Sequence, residues 1–383
     1  MKIRSLETFQ VPPRWLFLKI STDDGLAGWG EPIVEGCADT VAAAVKELGD
    51  SLLGKEASNI EDLWQVLYRA GFHRGGPVLT SAISGIEQAL WDLKGKRLGV
   101  PVYELLGGAV REKMRVYAWI GGATLADLQE QARELVAAGY TALKMTVTNQ
   151  MEWIENSKNV REAAERLAAV REAVGDDIGI GVDFHGRLHK GMARVLAREL
   201  EPFKPLFFEE PVLPENNEAL VELARHTSIP LATGERMYTR WGFKAVLASG
   251  GVAIIQPDLS HAGGIWEVRK IAAMAEAYDV AVAPHCPLGP ITLAASLQLD
   301  FCTPNAFLQE QVLDLHHAQK ESELLAYLVD PQVFHFAEGF VQKLTAPGLG
   351  IEINEEKVRE MAKVGHHWHT PSWRTADGTV TEW

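Results

Sequence analysis

At positions 178–185 the chain reads Ile178-Gly179-Ile180-Gly181-Val182-Asp183-Phe184-His185, an apolar run that ends in an acid and a histidine. Two similar runs follow, one ending at Glu209 and Glu210 and the other at Glu235. The intervals from Asp183 to Glu209 and from Glu209 to Glu235 are equal, at 26 residues each. Short apolar runs that end in a carboxylate at equal spacing predict consecutive strands of a parallel sheet joined by helices.

The same alternation of apolar and helical stretches continues on both sides of these runs, from Val116 onwards. Helical stretches include residues 125–138 and 266–278. A strand–helix alternation of this length predicts a (β/α)₈ barrel, in which catalytic residues lie at the carboxyl ends of the strands. The predicted strands are residues 115–120, 141–147, 178–184, 206–209, 230–234, 252–256, 280–284 and 306–309.

The first 112 residues have a different pattern, with strands first and helices afterwards. Predicted strands at 2–10, 15–21 and 26–30 precede predicted helices at 38–50, 59–70 and 78–97. This order indicates a small α+β domain that ends near Gly107-Gly108. We therefore predict a domain at 1–112 and a barrel at 113–335, and we expect residues 336–383, including Phe340 to Leu344, to return to the first domain.

Three carboxylates at neighbouring strand ends suit a hard divalent cation, because Mg²⁺ prefers oxygen ligands in octahedral geometry. Asp183, Glu209 and Glu235 are the candidate ligands. Side chains alternate along a strand, so only one of Glu209 and Glu210 can face the barrel centre. The alternative is that these acids cap helices or pair with arginines.

Two histidines accompany this cluster. His185 lies two positions after Asp183 and is expected on the same side of the sheet. Asp258 and His285 end the next two strands, and a carboxylate bonded to one ring nitrogen fixes the tautomer and raises the basicity of the other. A surface ion pair is the alternative for Asp258 and His285.

Two further charged residues end predicted strands. Glu310 is expected to face the centre, where a protonated carboxyl could donate to a developing oxyanion; a solvated rim acid is the alternative. Lys144 could hold a substrate carboxylate, act as a base or extend to solvent.

The composition restricts the class of protein. Lys and Arg total 37 and Asp and Glu total 51, giving a formal net charge of −14, which argues against a nucleic-acid or anionic membrane partner. The three cysteines lack a metal-site spacing, as is typical of a reduced cytoplasmic protein. No apolar run reaches the roughly 18 residues of a membrane span, and the first residues lead into no signal-peptide core. We expect a cytoplasmic homo-oligomer that acts on a small molecule.

Long local motifs at these positions resemble the enolase superfamily, in its mandelate racemase-like branch. The resemblance extends over the whole chain. The motifs are Gly30-Glu31-Pro32, the run from Tyr68 to Pro77, Asp183-Phe184-His185-Gly186-Arg187, Glu209-Glu210-Pro211, Gly234-Glu235-Arg236, the run from Gln256 to Gly264, and the run from Ala283 to Pro290.

The resemblance implies a (β/α)₇β TIM-like barrel with an α+β capping domain formed from both chain ends. It also implies one Mg²⁺ per subunit on the three carboxylates and the dehydration of a sugar acid, D-galactonate or an epimeric aldonate. In that reaction His285 with Asp258 would remove the C2 proton, the metal and Glu310 would stabilise the enediolate, and His185 would protonate the departing hydroxyl.

One position departs from the family pattern. The branch often has Lys-x-Lys at the end of the second barrel strand, where this chain has Lys144-Met145-Thr146. The missing second lysine disfavours a two-base racemase, and Thr146 leaves the choice of aldonate open. Arg14, Trp15 and the pair His73-Arg74 are candidate substrate contacts from the capping segments. A catalytically silent barrel that serves as a binding module is the competing hypothesis.

Overall fold

The computed structural model describes residues 1–317 and 323–383. Its first part is a three-stranded antiparallel sheet in the order β1-β2-β3, followed by helices. The predicted elements of this part are confirmed, with ends that differ by one or two residues. They are β1 (Ile3–Val11), β2 (Trp15–Thr22), β3 (Ala27–Gly30), α1 (Ala38–Asp50), α2 (Ile60–Arg69), α3 (Pro77–Leu98) and a short α4 (Val102–Leu105).

A second part alternates strand and helix from residue 113 onwards. All eight predicted barrel strands are present. In chain order the elements are β4 (Lys113–Ile120), α5 (Leu125–Ala137), β5 (Ala142–Thr146), α6 (Ser157–Val174), β6 (Gly179–Asp183), α7 (Lys190–Leu200), β7 (Phe207–Glu209), α8 (Asn217–Ala224), β8 (Leu231–Thr233), α9 (Thr239–Ser249), β9 (Ile254–Ile255), α10 (Ile265–Ala277), β10 (Ala281–Val282), α11 (Pro290–Phe301) and β11 (Gln309–Glu310).

The eight strands form a closed parallel barrel. Strands β4 to β10 pair in sequence order, and β11 pairs with β4. A parallel bridge between Val282 and Ala306 completes the closure between the last two strands. Within the described residues, one helix follows each of the first seven strands, so the predicted (β/α)₇β barrel is confirmed.

The barrel interior explains where the functional side chains lie. A compact layer of buried residues fills the lower part of the barrel and comes from seven different strands or strand ends: Tyr117, Ala142, Phe207, Ala232, Ile254, Ala283 and Leu308. Because strand side chains alternate, the residue two positions further along each strand faces the same interior, one level nearer the carboxyl rim. Lys144, Glu209, His285 and Glu310 occupy these positions, so the apolar layer forms the floor of a polar site.

The end of the chain contacts both parts of the fold. Strand β12 (Phe336–Ala337) pairs with β13 (Phe340–Gln342), and β13 pairs antiparallel with the barrel strand β4. The expectation that residues 340–344 return to the first domain was therefore wrong for this strand, because its backbone extends the barrel sheet at the outer edge of β4. Contacts with the first part begin at Gly348, which bonds to the backbone of Val100 and Val102.

The remaining tail returns to the N-terminal sheet and then to the barrel rim. Helix α12 (Glu355–Met361) lies against β1, where Arg359 pairs with Glu7 at 3.1 Å. A final hairpin of β14 (Trp373–Arg374) and β15 (Val380–Thr381) follows, and the Trp373 ring lies 4.7 Å from the Arg187 guanidinium. The domain bounds 1–112, 113–335 and 336–383 stay a prediction.

Helix α3 packs against β3 without room for side chains. A Cβ atom on Gly30 would lie 1.9 Å from the carbonyl oxygen of Gly85, and one on Gly85 would lie 2.4 Å from the Pro32 nitrogen. This 22-residue helix is buried over most of its length and carries polar residues throughout. In the described part of the chain, no helix is both long and apolar enough to cross a membrane.

Gly85→Ala should destabilise the protein, because the added methyl group collides with backbone atoms that cannot rotate away. We expect a loss of about 1–3 kcal/mol, typical of overpacking, measured as a lower midpoint of thermal unfolding. Gly191→Ala in α7 is the control, since its nearest atom would be 3.8 Å away and an alanine favours a helix. Equal midpoints for the two variants would contradict the close packing of α3 on β3.

Candidate active site

Three carboxylates meet at the carboxyl rim of the barrel. Asp183 ends β6, Glu209 ends β7 and Glu235 follows β8, and one oxygen of each lies within 4.8 Å of the others. Asp183 and Glu209 are fully buried. Of the adjacent pair, Glu209 faces the centre, whereas Glu210 turns away and pairs with Arg236, with 3.2 Å between its Oε1 and the arginine Nε.

Lys144 lies among these acids. Its Nζ donates to both oxygens of Glu209 at 2.8 Å and lies 3.1 Å from Asp183 and 3.0 Å from Glu310. Burial alone would lower the pKa of Lys144, but the surrounding carboxylates, Glu209 first, raise it well above its ordinary value. Lys144 is therefore a permanent cation in a buried acidic site, and its proposed alternative as a solvent-exposed lysine is excluded.

The acids themselves respond to crowding in different ways. Burial and the neighbouring charge of Asp183 raise the pKa of Glu209 well above its ordinary value. Burial and the charge of Glu210 raise the pKa of Glu235 to about 8. For Asp183, burial raises the pKa, but His185 and Lys144 outweigh it and the pKa is lowered. Repulsion among the acids thus favours the entry of a further positive charge.

The donor set fits a hard divalent cation. Oδ2 of Asp183 and Oε2 of Glu235 are buried and have no hydrogen-bond partner among the described residues. Buried anionic oxygens without partners are costly, and an ion that prefers oxygen ligands would satisfy them. Asp183, Glu209 and Glu235 are therefore the residues that could hold such an ion.

Asp258 and His285 form a direct pair on one side of the cluster. The Nδ1 of His285 lies 2.8 Å from Oδ2 of Asp258, and its Nε2 lies 3.4 Å from Glu235. Burial lowers the pKa of His285, but Glu235, Glu310 and Asp258 outweigh it and raise the pKa well above the ordinary value. This geometry leaves Nε2 directed at the carboxylate cluster, and it excludes the alternative of a surface ion pair.

His185 reaches the other side of the cluster through a tight turn. Strand β6 ends at Asp183, and His185 adopts a positive φ of 49°, which is uncommon outside glycine. Its backbone N–H donates to Oδ1 of Asp183 at 2.7 Å, and its Nε2 lies 3.4 Å from Oδ2. The ring stacks on Trp119 with 3° between the planes. Burial lowers the pKa of His185, although Asp183 opposes the shift.

Glu310 faces the centre as predicted, but its charge state differs from the expectation. Its Oε1 accepts from Trp119 Nε1 at 2.6 Å, and its Oε2 accepts from the backbone N–H of Cys286 at 2.8 Å. Burial raises the pKa of Glu310, but Lys144 and His285 outweigh it and the pKa is lowered. The expectation of a protonated Glu310 was wrong, because every neighbour donates a proton or carries positive charge.

The three substrate contacts expected from the capping segments have different locations. Arg14 donates to the carbonyl of Pro287 at 3.2 Å, two residues after His285, and lies over the Trp368 ring at 5.2 Å. Trp15 is 1 % exposed and packs against Phe17 and Tyr327. Its assignment as a substrate contact was wrong, because it belongs to the core.

His73 lies in the exposed loop between α2 and α3, with its ring edge-on to Phe72. Phe72 itself is 89 % exposed. The structure therefore gives His73 no printed contact with the carboxylate cluster, and its role stays a prediction.

Sequence reasoning missed Trp119 and His261. Trp119 ends β4, stacks on His185 and donates to Glu310, and its position two residues after the inward-facing Tyr117 was the available signal. His261 lies 3.8 Å from Asp258, opposite His285, and its Nδ1 lies 2.9 Å from Ser81 Oγ. Nothing in the local sequence indicates that contact, because Ser81 lies in α3.

Two family descriptions match most of the chain. "Mandelate racemase / muconate lactonizing enzyme, N-terminal domain" matches residues 5–107, and "Enolase C-terminal domain-like" matches residues 127–357. The chain belongs to the enolase superfamily. The resemblance inferred from the motifs is therefore confirmed.

Full-length relatives of this superfamily member carry a more specific name. Proteins named D-galactonate dehydratase from Pectobacterium atrosepticum and Ralstonia pickettii are each 55 % identical over 383 residues, with complete coverage of both chains. Among solved structures, an enolase from Agrobacterium radiobacter with bound sodium and L-malate, provisionally named a galactarate dehydratase, has a TM-score of 0.91 at 32 % identity over 100 % of both chains.

Lys144→Met should destabilise the metal-free protein, because it removes the cation that offsets Asp183, Glu209 and Glu310. Removing one partner of a buried ion pair costs about 3–5 kcal/mol, which thermal unfolding in the presence of a chelator would detect. Lys343→Met, which breaks the exposed pair with Glu112, is the control and should cost about 0–1 kcal/mol. An unchanged midpoint for Lys144→Met would mean that the acids are neutralised by protons instead.

Proposed function

We propose that this chain is a Mg²⁺-dependent hydro-lyase that converts D-galactonate to 2-dehydro-3-deoxy-D-galactonate. The names of its full-length relatives support this substrate. The observation that carries the proposal is the placement of two imidazoles at opposite ends of the carboxylate cluster, His185 beside Asp183 and His285 beside Glu235. Elimination of water needs one group to take a proton and another to give one.

The difficult step is removal of the C2 proton, because a proton next to a carboxylate is very weakly acidic. When bound by Asp183, Glu209 and Glu235, Mg²⁺ would supply the positive charge that offsets the charge formed on the substrate carboxylate. Lys144 adds a fixed positive charge next to this site. We propose that it helps to hold the carboxylate of the substrate.

His285 is the proposed base. Asp258 accepts the hydrogen bond of Nδ1–H, which fixes the tautomer and leaves the Nε2 lone pair for the substrate. The neighbouring acids raise the basicity of the ring, so a proton taken from C2 is retained. Glu310 is oriented by Trp119 and the Cys286 N–H, and it completes the negative surroundings that favour a protonated His285.

His185 is the proposed acid. The electron pair released at C2 forms the C2–C3 double bond, the C3–O bond breaks, and the departing oxygen takes the His185 proton and leaves as water. The resulting enol then takes a proton at C3 to give the 2-keto acid. The lowered pKa of His185 makes its protonated ring a ready donor, and stacking on Trp119 fixes its position.

A panel of aldonates that differ in configuration at C2, C3 and C4, with colorimetric detection of 2-keto acid, tests the proposed function. D-Galactonate should give the highest kcat/KM. Product formation from an epimer alone would move the substrate assignment, and absence of product from every aldonate with Mg²⁺ present would favour the silent binding module.

We further propose that the protein acts in the cytoplasm as a homo-oligomer. The cysteines at 37, 286 and 302 are all unpaired, which supports a reducing compartment. Light scattering coupled to size-exclusion chromatography would test the oligomeric state, since a mass of 42.1 kDa corresponds to a monomer.

Glu209→Gln should weaken Mg²⁺ binding, because it replaces an anionic ligand with a neutral one. Titration calorimetry with MgCl₂ is the measurement. Glu210→Gln is a matched control, since the same change one residue later affects a side chain that turns away to Arg236. Equal loss of affinity in both variants would contradict the assignment of Glu209 as the ligand.

The two histidines should separate in an exchange experiment in deuterated water. His285→Asn should lose both dehydration and exchange of the C2 hydrogen, because no base remains. His185→Asn should lose dehydration but retain the capacity for exchange, since His285 can still remove the proton and return a deuteron. NMR of the recovered substrate measures the exchange.

A closed site that prevents His285 from trading its proton with solvent would abolish exchange in both variants. The informative contradiction is therefore the reverse pattern. Exchange that persists in His285→Asn and disappears in His185→Asn would show that the acid and the base are exchanged.

A further inference from the structure

A buried carboxylate of the N-terminal part contacts the segment that follows His285. Glu31 lies directly after β3 and is fully buried. Its Oε1 accepts from the backbone N–H of Gly289 at 2.7 Å, and its Oε2 accepts from the N–H and the hydroxyl of Thr292 at 3.0 and 2.9 Å. Both donors belong to the start of α11, so Glu31 caps the helix that the His285 loop enters.

The same hydroxyl reaches the loop that carries Asp258. Thr292 Oγ1 lies 2.7 Å from Ser260 Oγ, and the Ser260 N–H donates to Oδ1 of Asp258 at 2.6 Å. Gln88 of α3 donates to Ser260 Oγ at 3.1 Å and accepts from the backbone N–H of Glu31 at 2.9 Å. Glu31, Thr292, Ser260 and Gln88 therefore form a closed hydrogen-bond ring, which we call the cap ring.

The cap ring is built into the fold at a cost. All four members are fully shielded from solvent. Burial raises the pKa of Glu31 to about 7, although the hydrogen bonds from Thr292 and Gly289 oppose the shift. Position 289 also has to be a glycine for steric reasons, since a Cβ atom there would lie 2.6 Å from Glu31 Oε1. A buried acid with this surrounding is expensive unless its position is used.

We propose that Glu31 and Thr292 are positioning residues for the reaction, and that the cap ring sets the relative position of Asp258 and His285. Asp258 and His285 lie on separate loops after β9 and β10, and the two strands themselves have only two residues each. The hydroxyl of Thr292 is the point where the two loops are joined to each other and to the N-terminal part. The proposal rests on the proposed function for its kinetic readout only.

The test compares two changes at one position. Thr292→Val keeps the shape and removes the hydroxyl, whereas Thr292→Ser keeps the hydroxyl and removes a methyl group. Glu31→Gln breaks the ring at its charged member. Asp92→Asn controls for the loss of a buried acid of α3, because Asp92 accepts from Trp29 and Leu349 and has no contact with the ring.

In Thr292→Val and Glu31→Gln we expect kcat to fall about 10- to 100-fold, as misplacement of a catalytic group does, with an unchanged KM. With substrate deuterated at C2, the isotope effect on kcat should increase in these two variants, because proton removal has become slower. Thr292→Ser and Asp92→Asn should keep the wild-type isotope effect. Normal rates in Thr292→Val, or equal defects in Thr292→Val and Thr292→Ser, would overturn the proposal.

A second readout needs no substrate. The Nδ1–H of His285 is hydrogen-bonded to a carboxylate, and its proton signal in the ¹H spectrum of histidine-labelled protein can be assigned by its loss in His285→Asn. We expect this signal to shift or broaden in Thr292→Val and Glu31→Gln and to stay in place in Thr292→Ser and Asp92→Asn. An unmoved signal in all four variants would overturn the proposal even if the aldonate were wrong. Altered signals without turnover of any aldonate would overturn the proposed function and leave the cap ring supported.

Discussion

Charge balance at the barrel rim is the constraint on which the rest of the site depends. Asp183, Glu209 and Glu310 are fully buried, and in a low-dielectric interior they would repel one another strongly. The ammonium of Lys144 offsets part of this charge from a single point within 3.1 Å of all three. The remaining negative charge is what gives the site its affinity for a further cation and its tendency to hold protons on histidine.

The two histidines differ because they contact this charge differently. His285 is bonded to Asp258 and lies near Glu235 and Glu310, so its protonated form is strongly favoured. His185 is stacked on the apolar face of Trp119 and has Asp183 as its main acidic neighbour, so burial prevails. Two groups whose environments move their pKa values apart are what acid–base catalysis requires. The asymmetry arises from neighbours on different strands and not from the histidines themselves.

Much of this arrangement could be predicted from local sequence. The strand ends at Asp183, Glu209 and Glu235 follow from the repeated apolar runs, and the floor of the barrel follows from alternation along each strand. Other features depend on contacts between distant segments. Trp15 reads like a loop residue at a strand start, yet it is buried by Tyr327, more than 300 residues later. The ionised state of Glu310 depends on Lys144 and Trp119, which no local pattern connects to it.

The tail has a consequence for how the protein is made. Lys19 of β2 pairs with Glu355 at 2.7 Å, and Glu7 of β1 pairs with Arg359, so the first sheet to be synthesised is completed by almost the last helix. Because ribosomes release the chain from its amino end, the N-terminal sheet has to wait with this face uncovered until translation is nearly finished. The rim of the barrel waits longer, since Trp373 reaches Arg187 only from the final eleven residues. A nascent chain stalled before that point would hold every proposed catalytic residue without the surface that covers Arg187.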